Sequence, residues 1–386
     1  MPRITDDRIE FLPEDRYAIV EQSNGITPAK YTALFKAAIR DGNTTKYFKF
    51  LEEIAEKDPD ILQSIETRTS YVTSKDWFIE GKDANQAGKI EEMLRDIDGD
   101  PTQGLSSTDE MITSLLGSSY LTGLSFSEVV TDGKKILGFN HIPSHFLTFQ
   151  GSVHYPKLWT QQSPTGENLN QAKMISHYLT QGIDPARGWL GNSVSWLYVF
   201  KRTAMDARMK FQQKYGKGFV LVTMPGEKDS YLEAWTTAER LIKNYSTVDG
   251  AVFPKDVLVE FKESASLNGD YFFTAEDNFK NSIVKVILGQ ESTSSSQDSN
   301  RSTASVHLEV LEQRVIDDIT AIESTLTNQL LSKIKPLVGI KTEDVYEFKF
   351  KQTEIEETLD DEQETPDVDT KQETNQTTNS EPTGEE

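Results

Sequence analysis

Residues 283–315 read IVKVILGQESTSSSQDSNRSTASVHLEVLEQRV, and this stretch decides how the rest of the chain is put together. Its left end closes an apolar helical stripe, Phe272, Ala275, Phe279, Ile283 and Val286, at Gly289, a residue suited to the left-handed backbone of a helix end. Its centre, Gln290 to Ser305, holds seven serines and almost nothing apolar. Such a segment has no surface to bury and reads as a loop. Its right end opens the longest stripe in the chain, Leu308, Leu311, Val315, Ile319, Ile322, Leu326 and Leu330, continuing to about Lys335 before Pro336 ends it. One polar loop therefore hangs between two long helices.

Working upstream, Leu197, Phe200, Ala204, Ala207 and Phe211 recur at helical spacing and mark another long helix, from about Asn192 to Lys214. Beside them Arg202, Asp206, Lys210 and Lys214 follow at i, i+4 as a solvated charged row. Gly216 and Gly218 stop this helix. Phe219 to Thr223 then reads as a strand, Leu232 to Tyr245 as a helix, and Ala251 to Phe253 with Val257 to Phe261 as further strands. A small β-α-β-β module is thus inserted between two amphipathic helices.

The first half of the chain is an α+β unit. Residues 1–43 read as a polar arm with one helix around Lys30 to Ile39, ending at Asp41-Gly42-Asn43 and long enough to reach a neighbour. Tyr47, Phe50, Leu51 and Ile54 have helical spacing, and Asp58-Pro59 caps a second helix carrying Ile61, Ile65 and Val72, before a strand at Trp77 to Glu80. Ser107-Thr108-Asp109-Glu110 is a capping box opening a helix with Met111, Leu115 and Leu116. Leu124 to Val130 alternates like a half-buried strand, and Asp132-Gly133 turns it into Lys135 to Phe139, with short strands through Leu158. The unit ends near Gln181. At the far end Val345 to Phe350 alternates as a last strand, and from about Thr353 the composition is that of a disordered tail.

The charge balance restricts the partners. The formal charge is -22, and residues 351–386 carry 13 acidic against 2 basic side chains, so half the imbalance lies in the tail. An acidic body does not wrap phosphates, which takes clustered Lys and Arg. Nucleic acid, if a partner, should pass by without sticking. There is no cysteine, which removes disulfides and thiolate chemistry. Neither a leader nor an apolar run of membrane length is visible, so no membrane role is expected.

Enzyme signatures are missing as well. Gly216-Lys217-Gly218 lacks the hydroxyl and spacing of a phosphate-gripping loop, and Gly123-Leu124-Ser125 fails as a nucleophile elbow at Ser127. The histidines, His141, His145, His154, His177 and His307, lack a second ligand at metal spacing. Asp317-Asp318 and Glu91-Glu92 are adjacent on helices and so point in different directions, as solvated pairs do. No catalytic residue, metal site or cofactor is assigned. The serine-rich loop has two readings. It is a surface linker, or a polar, near-neutral lining that touches a polyanion weakly through hydroxyls and amides, with Arg301 its one cation against Glu291 and Asp298.

From about Lys46 to Phe350 the chain resembles the Mu-like portal proteins of tailed bacteriophages. The resemblance is carried by Asp60-Ile61-Leu62-Gln63-Ser64 leading to Arg68, by Lys75-Asp76-Trp77-Phe78-Ile79, and by Phe211 to Val222 with Lys214-Tyr215-Gly216. Most specific are Val284-Lys285-Val286-Ile287-Leu288-Gly289-Gln290 and Ser302-Thr303-Ala304-Ser305-Val306-His307. It implies a portal fold: a wing over 44–190, a two-helix stem at 191–216 and 263–289, a small α/β clip at 217–262 and a tunnel loop at 290–303. A long wing helix with the terminal strand would fill 304–352. The acidic tail, 353–386, leaves little from which to build a crown, so the crown is expected to be reduced.

The same resemblance implies a ring, commonly a dodecamer, at one capsid vertex, through which double-stranded DNA is packaged and ejected. Its partners would be the major capsid protein, the large terminase subunit and a head-tail adaptor, in the virion and, during assembly, in the host cytoplasm. Loop residues Gln290, Ser292, Ser294, Ser295, Ser296, Gln297, Asn300 and Arg301 would face DNA. Lys201, Arg202, Arg208, Lys210, Lys280 and Lys285 would be the stem cations. Trp235, Glu239, Lys243 and Tyr245 would be clip contacts, although Trp235 and Tyr245 read more readily as core. The competing readings are another head-tail connector or a gene-transfer-particle component and, more distantly, a DNA-processing enzyme.

Overall fold

Asp58 performs two local jobs that decide how the body starts. It ends one helix, α2 (Thr45–Lys57), and its carboxylate accepts from the amides of Asp60 and Ile61 to open the next, α3 (Pro59–Thr73), with Pro59 in the first turn. The capping box at Ser107 forms in both directions and starts α5 (Thr108–Thr122), which stops at Gly123 in the left-handed conformation. These helices come from a computed structural model, which describes residues 2–351 apart from 6–7, 12–20, 150–155, 161–162, 164, 180–186, 188, 216–218, 225, 244–256, 263–269, 291–300 and 342–343. The strand read at Ala251 to Phe253, His154 and the tail beyond Lys351 lie outside these residues.

Two antiparallel sheets lie against the helices. In the first, β4 (Leu124–Thr131) sits between β5 (Ile136–Ile142) and β9 (Met174–Tyr178). The turn into β5 is made at Asp132-Gly133, with Gly133 at φ 86° and the register shifting between Val130 and Thr131. The second sheet pairs β3 (Trp77–Gly81) with β12 (Tyr346–Phe350), joining residues more than 260 positions apart. The Tyr346 ring lies on Gly81 so closely that an added Cβ would come within 2.2 Å of it. Short strands β1 (Arg3–Ile4) and β2 (Ile9–Glu10) pair with each other, as do β6 (Leu147–Thr148), β7 (Lys157–Leu158) and β8 (Glu167–Asn168) in order. Helix α4 (Ala84–Arg95), which carries the adjacent pair Glu91-Glu92, packs on β3.

Two expectations change. β4 is buried on both faces, not one. Ser125 donates to the Leu115 carbonyl of α5 on one side, while Glu128 holds the N-terminal segment on the other. A strand covered twice does not need strict alternation, and its buried polar side chains are each paired. Helix α1 (Pro28–Asp41) is likewise no detached arm. Its Tyr31 is fully buried, edge-on to Trp196 at 4.7 Å, with its hydroxyl bonded to Asn192 and Ser195.

The second half follows its periodicity closely. α6 spans Gly191–Tyr215, and β10 (Phe219–Thr223) pairs antiparallel with β11 (Leu258–Lys262). α7 (Leu232–Lys243) lies between those strands in sequence, and α8 spans Asp270–Leu288. α9 begins at Arg301, so Arg301, Ser302 and Thr303 are helical and not part of the loop, and it runs to Thr325. It continues through a π turn, Leu326–Leu330, into α10 (Leu331–Ile334). The expected single helix to Lys335 therefore carries one wider turn.

Candidate functional site

α6 and α8 lie side by side and antiparallel, as their cross-helix pairs show. Phe211 meets Phe272 at 5.7 Å, Arg208 meets Glu276 at 3.0 Å and Phe200 stacks on Phe279 at 6.1 Å. Arg208 also lies over the Phe273 ring at 4.5 Å. The apolar stripe of α6 is only half covered in the single chain: Phe200 is 42% exposed and Leu197, Ala204, Ala207 and Phe211 are half-buried, while on α8 Tyr271 is 79% exposed. The sequence pattern locates this stripe without showing how little of it one copy can cover.

Two buried charge groups tie this helix pair to the body. Lys201 on α6 reaches both oxygens of Asp58 at 2.9 and 2.8 Å and Asp60 at 2.6 Å. Burial pulls the Lys201 ammonium down, and the hydrogen bonds and charges of the two aspartates more than reverse it, leaving it above its ordinary value. Lys280 on α8 adds a longer contact to Asp60 at 3.6 Å. A cleft of about 390 Å³ opens here among Asp58, Lys201, Arg202, Glu276 and Lys280.

The second group grips the C-terminal end of α8, immediately before the serine-rich segment. Arg68 on α3 donates in a fork to Asp318 on α9 at 2.7 and 2.9 Å, and through its remaining nitrogen to the Ile287 carbonyl at 2.8 Å. Tyr120 donates to the same carboxylate at 3.1 Å and lies under the guanidinium at 4.6 Å. Burial alone would depress Arg68, but Asp318 and Tyr120 hold it above its usual range, while burial and the Asp318 charge push the Tyr120 hydroxyl well up. Arg314 on α9 donates to the Val286 carbonyl at 2.9 Å. Two guanidiniums thus satisfy carbonyls that the last turn of α8 leaves open, where the helix dipole favours positive charge. Gly289, at φ 87°, follows in contact with Arg314: a Cβ there would fall 2.6 Å from its Nε.

The other sequence-chosen residues distribute as follows. Lys201 is buried among aspartates and not on a solvated face, because its position on α6 faces the capped start of α3. Arg202 forms an exposed i, i+4 pair with Asp206 at 3.8 Å, and Lys210 and Lys285 are exposed. Gln290 is half-buried at the end of α8, with its side-chain oxygen buried and unbonded. Ser292, Ser294, Ser295, Ser296, Gln297 and Asn300 lie outside the described residues, as does Tyr245. Trp235 is half-buried with Lys228 6.0 Å from its ring, Glu239 pairs with Lys228 at 2.8 Å, and Lys243 is exposed. Asp317 and Asp318 separate as expected, the first exposed and the second committed to Arg68. Glu91 is taken by Arg95 at 3.0 Å. His141 meets Ser118, His145 meets Glu52, and His177 meets Thr325. No group of three metal-capable side chains occurs among the described residues, and no helix there is long and apolar enough to cross a membrane.

Residues 48–374 match the family described as the portal protein of Mu bacteriophage. No curated protein sequence matches the chain. Among solved structures, an HK97-family phage portal protein from Corynebacterium diphtheriae is 11% identical, covering 76% of this chain and 92% of its own, with a TM-score of 0.45. A chain from the neck of an empty GTA particle is 10% identical over 79% of this chain and 85% of its own, at a TM-score of 0.54. One from the neck of a native GTA particle, computed with C12 symmetry, is 11% identical over 86% of each chain, again at 0.54. At these identities the last two speak for the fold alone. With the family match spanning most of the sequence, this chain belongs to the family of the portal protein of Mu bacteriophage.

Proposed function

We propose that the chain is one subunit of a closed ring of about twelve copies, the symmetry of one structurally similar particle neck, set at a capsid vertex and serving as a DNA channel. One observation carries this reading. A half-covered antiparallel helix pair, α6 and α8, is locked to the body by Lys201 and Arg68 and leads directly into the polar segment 290–300. A neighbouring copy would cover the exposed Phe200 and Tyr271, leaving the charged row of α6 and the serine-rich segment for the channel. In this reading the wing, stem and clip occupy the spans given above, the tunnel loop ends at Asn300 before α9, and the module at 217–262 docks terminase and later the head-tail adaptor.

The mechanism is mechanical and electrostatic. A chain of net charge -22 offers DNA little to release counterions against, so the duplex slides while an ATP-driven motor elsewhere supplies the work. Mass photometry and negative-stain images of the purified protein test the ring. Closed rings with a central hole support it, and monomers at micromolar concentration overturn it. Deleting Ser292 to Asn300 should leave rings intact and impair packaging or DNA retention; normal packaging would reduce that segment to a linker.

A further inference from the structure

This acidic chain has a basic corner. Residues 22–51 carry five of the 40 basic side chains, Lys30, Lys36, Arg40, Lys46 and Lys49, and one of the 62 acidic ones, Asp41. They fold as the hairpin of α1 and α2. Phe35 meets Tyr47 there at 5.5 Å, so Lys36 and Lys46, each next in sequence to one of these rings, leave the same end of the hairpin. Lys30, Lys36, Arg40 and Lys46 are exposed and Lys49 is half-buried. Lys36, Lys46 and Lys49 form no ion pair among the described residues, and Arg40 holds only its neighbour Asp41 in an exposed pair of little worth. Two carboxylates of α2 are used elsewhere, Glu52 on His145 and Glu53 on the amides of Gln22 and Ser23. A third, Glu56, is exposed but lies ten residues, about 15 Å, beyond Lys46 along the helix. On α1, Lys36 and Arg40 share their face with Ala29 and Ala33, and no large apolar side chain is exposed anywhere in 22–51.

We infer that this corner binds the phosphates of duplex DNA, as a contact separate from the α6–α8 pair. A protein partner needs apolar or aromatic anchors at the centre of the patch, and the corner exposes none. Long cations on two rigid helices, with small or uncharged residues between them, suit a polyanion instead. From Lys30 to Arg40 the face of α1 runs about 15 Å, along which duplex DNA carries about nine phosphate charges. The identity of that polyanion rests on the channel reading above. So few cations release few counterions, and the acidic remainder of the chain repels the duplex. The contact is therefore salt-labile and lets DNA go.

The test is fluorescence anisotropy of a labelled duplex of about 30 base pairs, titrated with the full chain at about 50–200 mM NaCl. The triple variant Lys36→Gln, Arg40→Gln, Lys46→Gln keeps good helix formers at all three places. It should bind at least about tenfold more weakly at the lowest salt, with the salt slope reduced by about 2–3. A control with the same loss of charge at other exposed lysines, Lys82→Gln, Lys89→Gln, Lys134→Gln, should bind like the parent chain. No binding by the parent chain at the lowest salt, or equal losses in the two triple variants, overturns the inference. So does displacement of the duplex by poly-glutamate as readily as by unlabelled DNA, which would assign the corner to an acidic protein. Mass photometry of the same samples reads the ring separately. Monomers that bind DNA through this corner refute the channel and not this contact, whereas rings indifferent to the first triple variant refute this contact and not the channel.

Discussion

Replacing Arg68 by Met leaves Asp318 buried with only the Tyr120 hydroxyl and strips the Ile287 carbonyl of its donor. The two side chains are 5% and 3% exposed, so water cannot take the place of the lost partner. Breaking a buried pair of this kind costs about 3–5 kcal/mol, about a fifth or more of the roughly 5–15 kcal/mol that holds a typical domain together. Asp318→Leu should cost a similar amount by stranding the guanidinium. In the double variant both charges are gone, and the loss should shrink to about 1–3 kcal/mol, mostly the orphaned Ile287 carbonyl and Tyr120 hydroxyl. The assay is urea unfolding at one fixed protein concentration, followed by tryptophan fluorescence and far-UV circular dichroism, because assembly would otherwise shift the apparent midpoint. A coupling energy of at least about 2 kcal/mol is expected from the cycle. Single variants losing under about 1 kcal/mol, or losses that simply add, would show that Arg68 and Asp318 do not lock the end of α8.

Three further outcomes follow from buried or strained positions. Burial depresses His177 from 6.5 to about 4, so the folded state binds fewer protons than the unfolded one. Its stability contribution is complete above pH 6.5 and is lost as pH falls toward 4, amounting to about 2 kcal/mol at pH 5. His177→Gln should flatten that part of the urea-midpoint profile, and an unchanged slope would refute the assignment. Gly289→Ala forces a Cβ against Arg314 at a left-handed position and should cost about 1–2 kcal/mol by thermal melting, against none if the turn relaxes freely. Ser107→Ala removes the capping box of α5 and should cost about 0.5–2 kcal/mol in the same assay.

Local chemistry was readable wherever a few adjacent residues carry it. The capping box at Ser107, the Asp132-Gly133 turn and the start of α6 lie where the residues place them. What periodicity cannot supply is the partner. Arg68 and Asp318 are 250 positions apart, and in a sequence each looks like an ordinary surface charge. Lys201 sits beside a solvated row on α6, and nothing in its spacing says that it alone turns inward to Asp58 and Asp60. The burial of β4 on both faces was hidden for a related reason: polar Ser125 and Ser127 on one face and Glu128 on the other look solvated until their acceptors and donors are known. The π turn left no signature either, since Leu326 and Leu330 fit α spacing as well.

That wider turn has a bearing on the margins of two sheets. Gln329 within it bonds both the amide and the carbonyl of Ser176, at 2.7 Å each, on the outer side of β9. Thr327 and Glu323 accept the Phe348 and Phe350 amides on the outer side of β12. One helix therefore does for two sheet margins what a further strand would do, using side chains in place of a backbone. Open margins are templates for indiscriminate strand pairing between molecules. With both occupied from within, neither margin is left open to that kind of pairing.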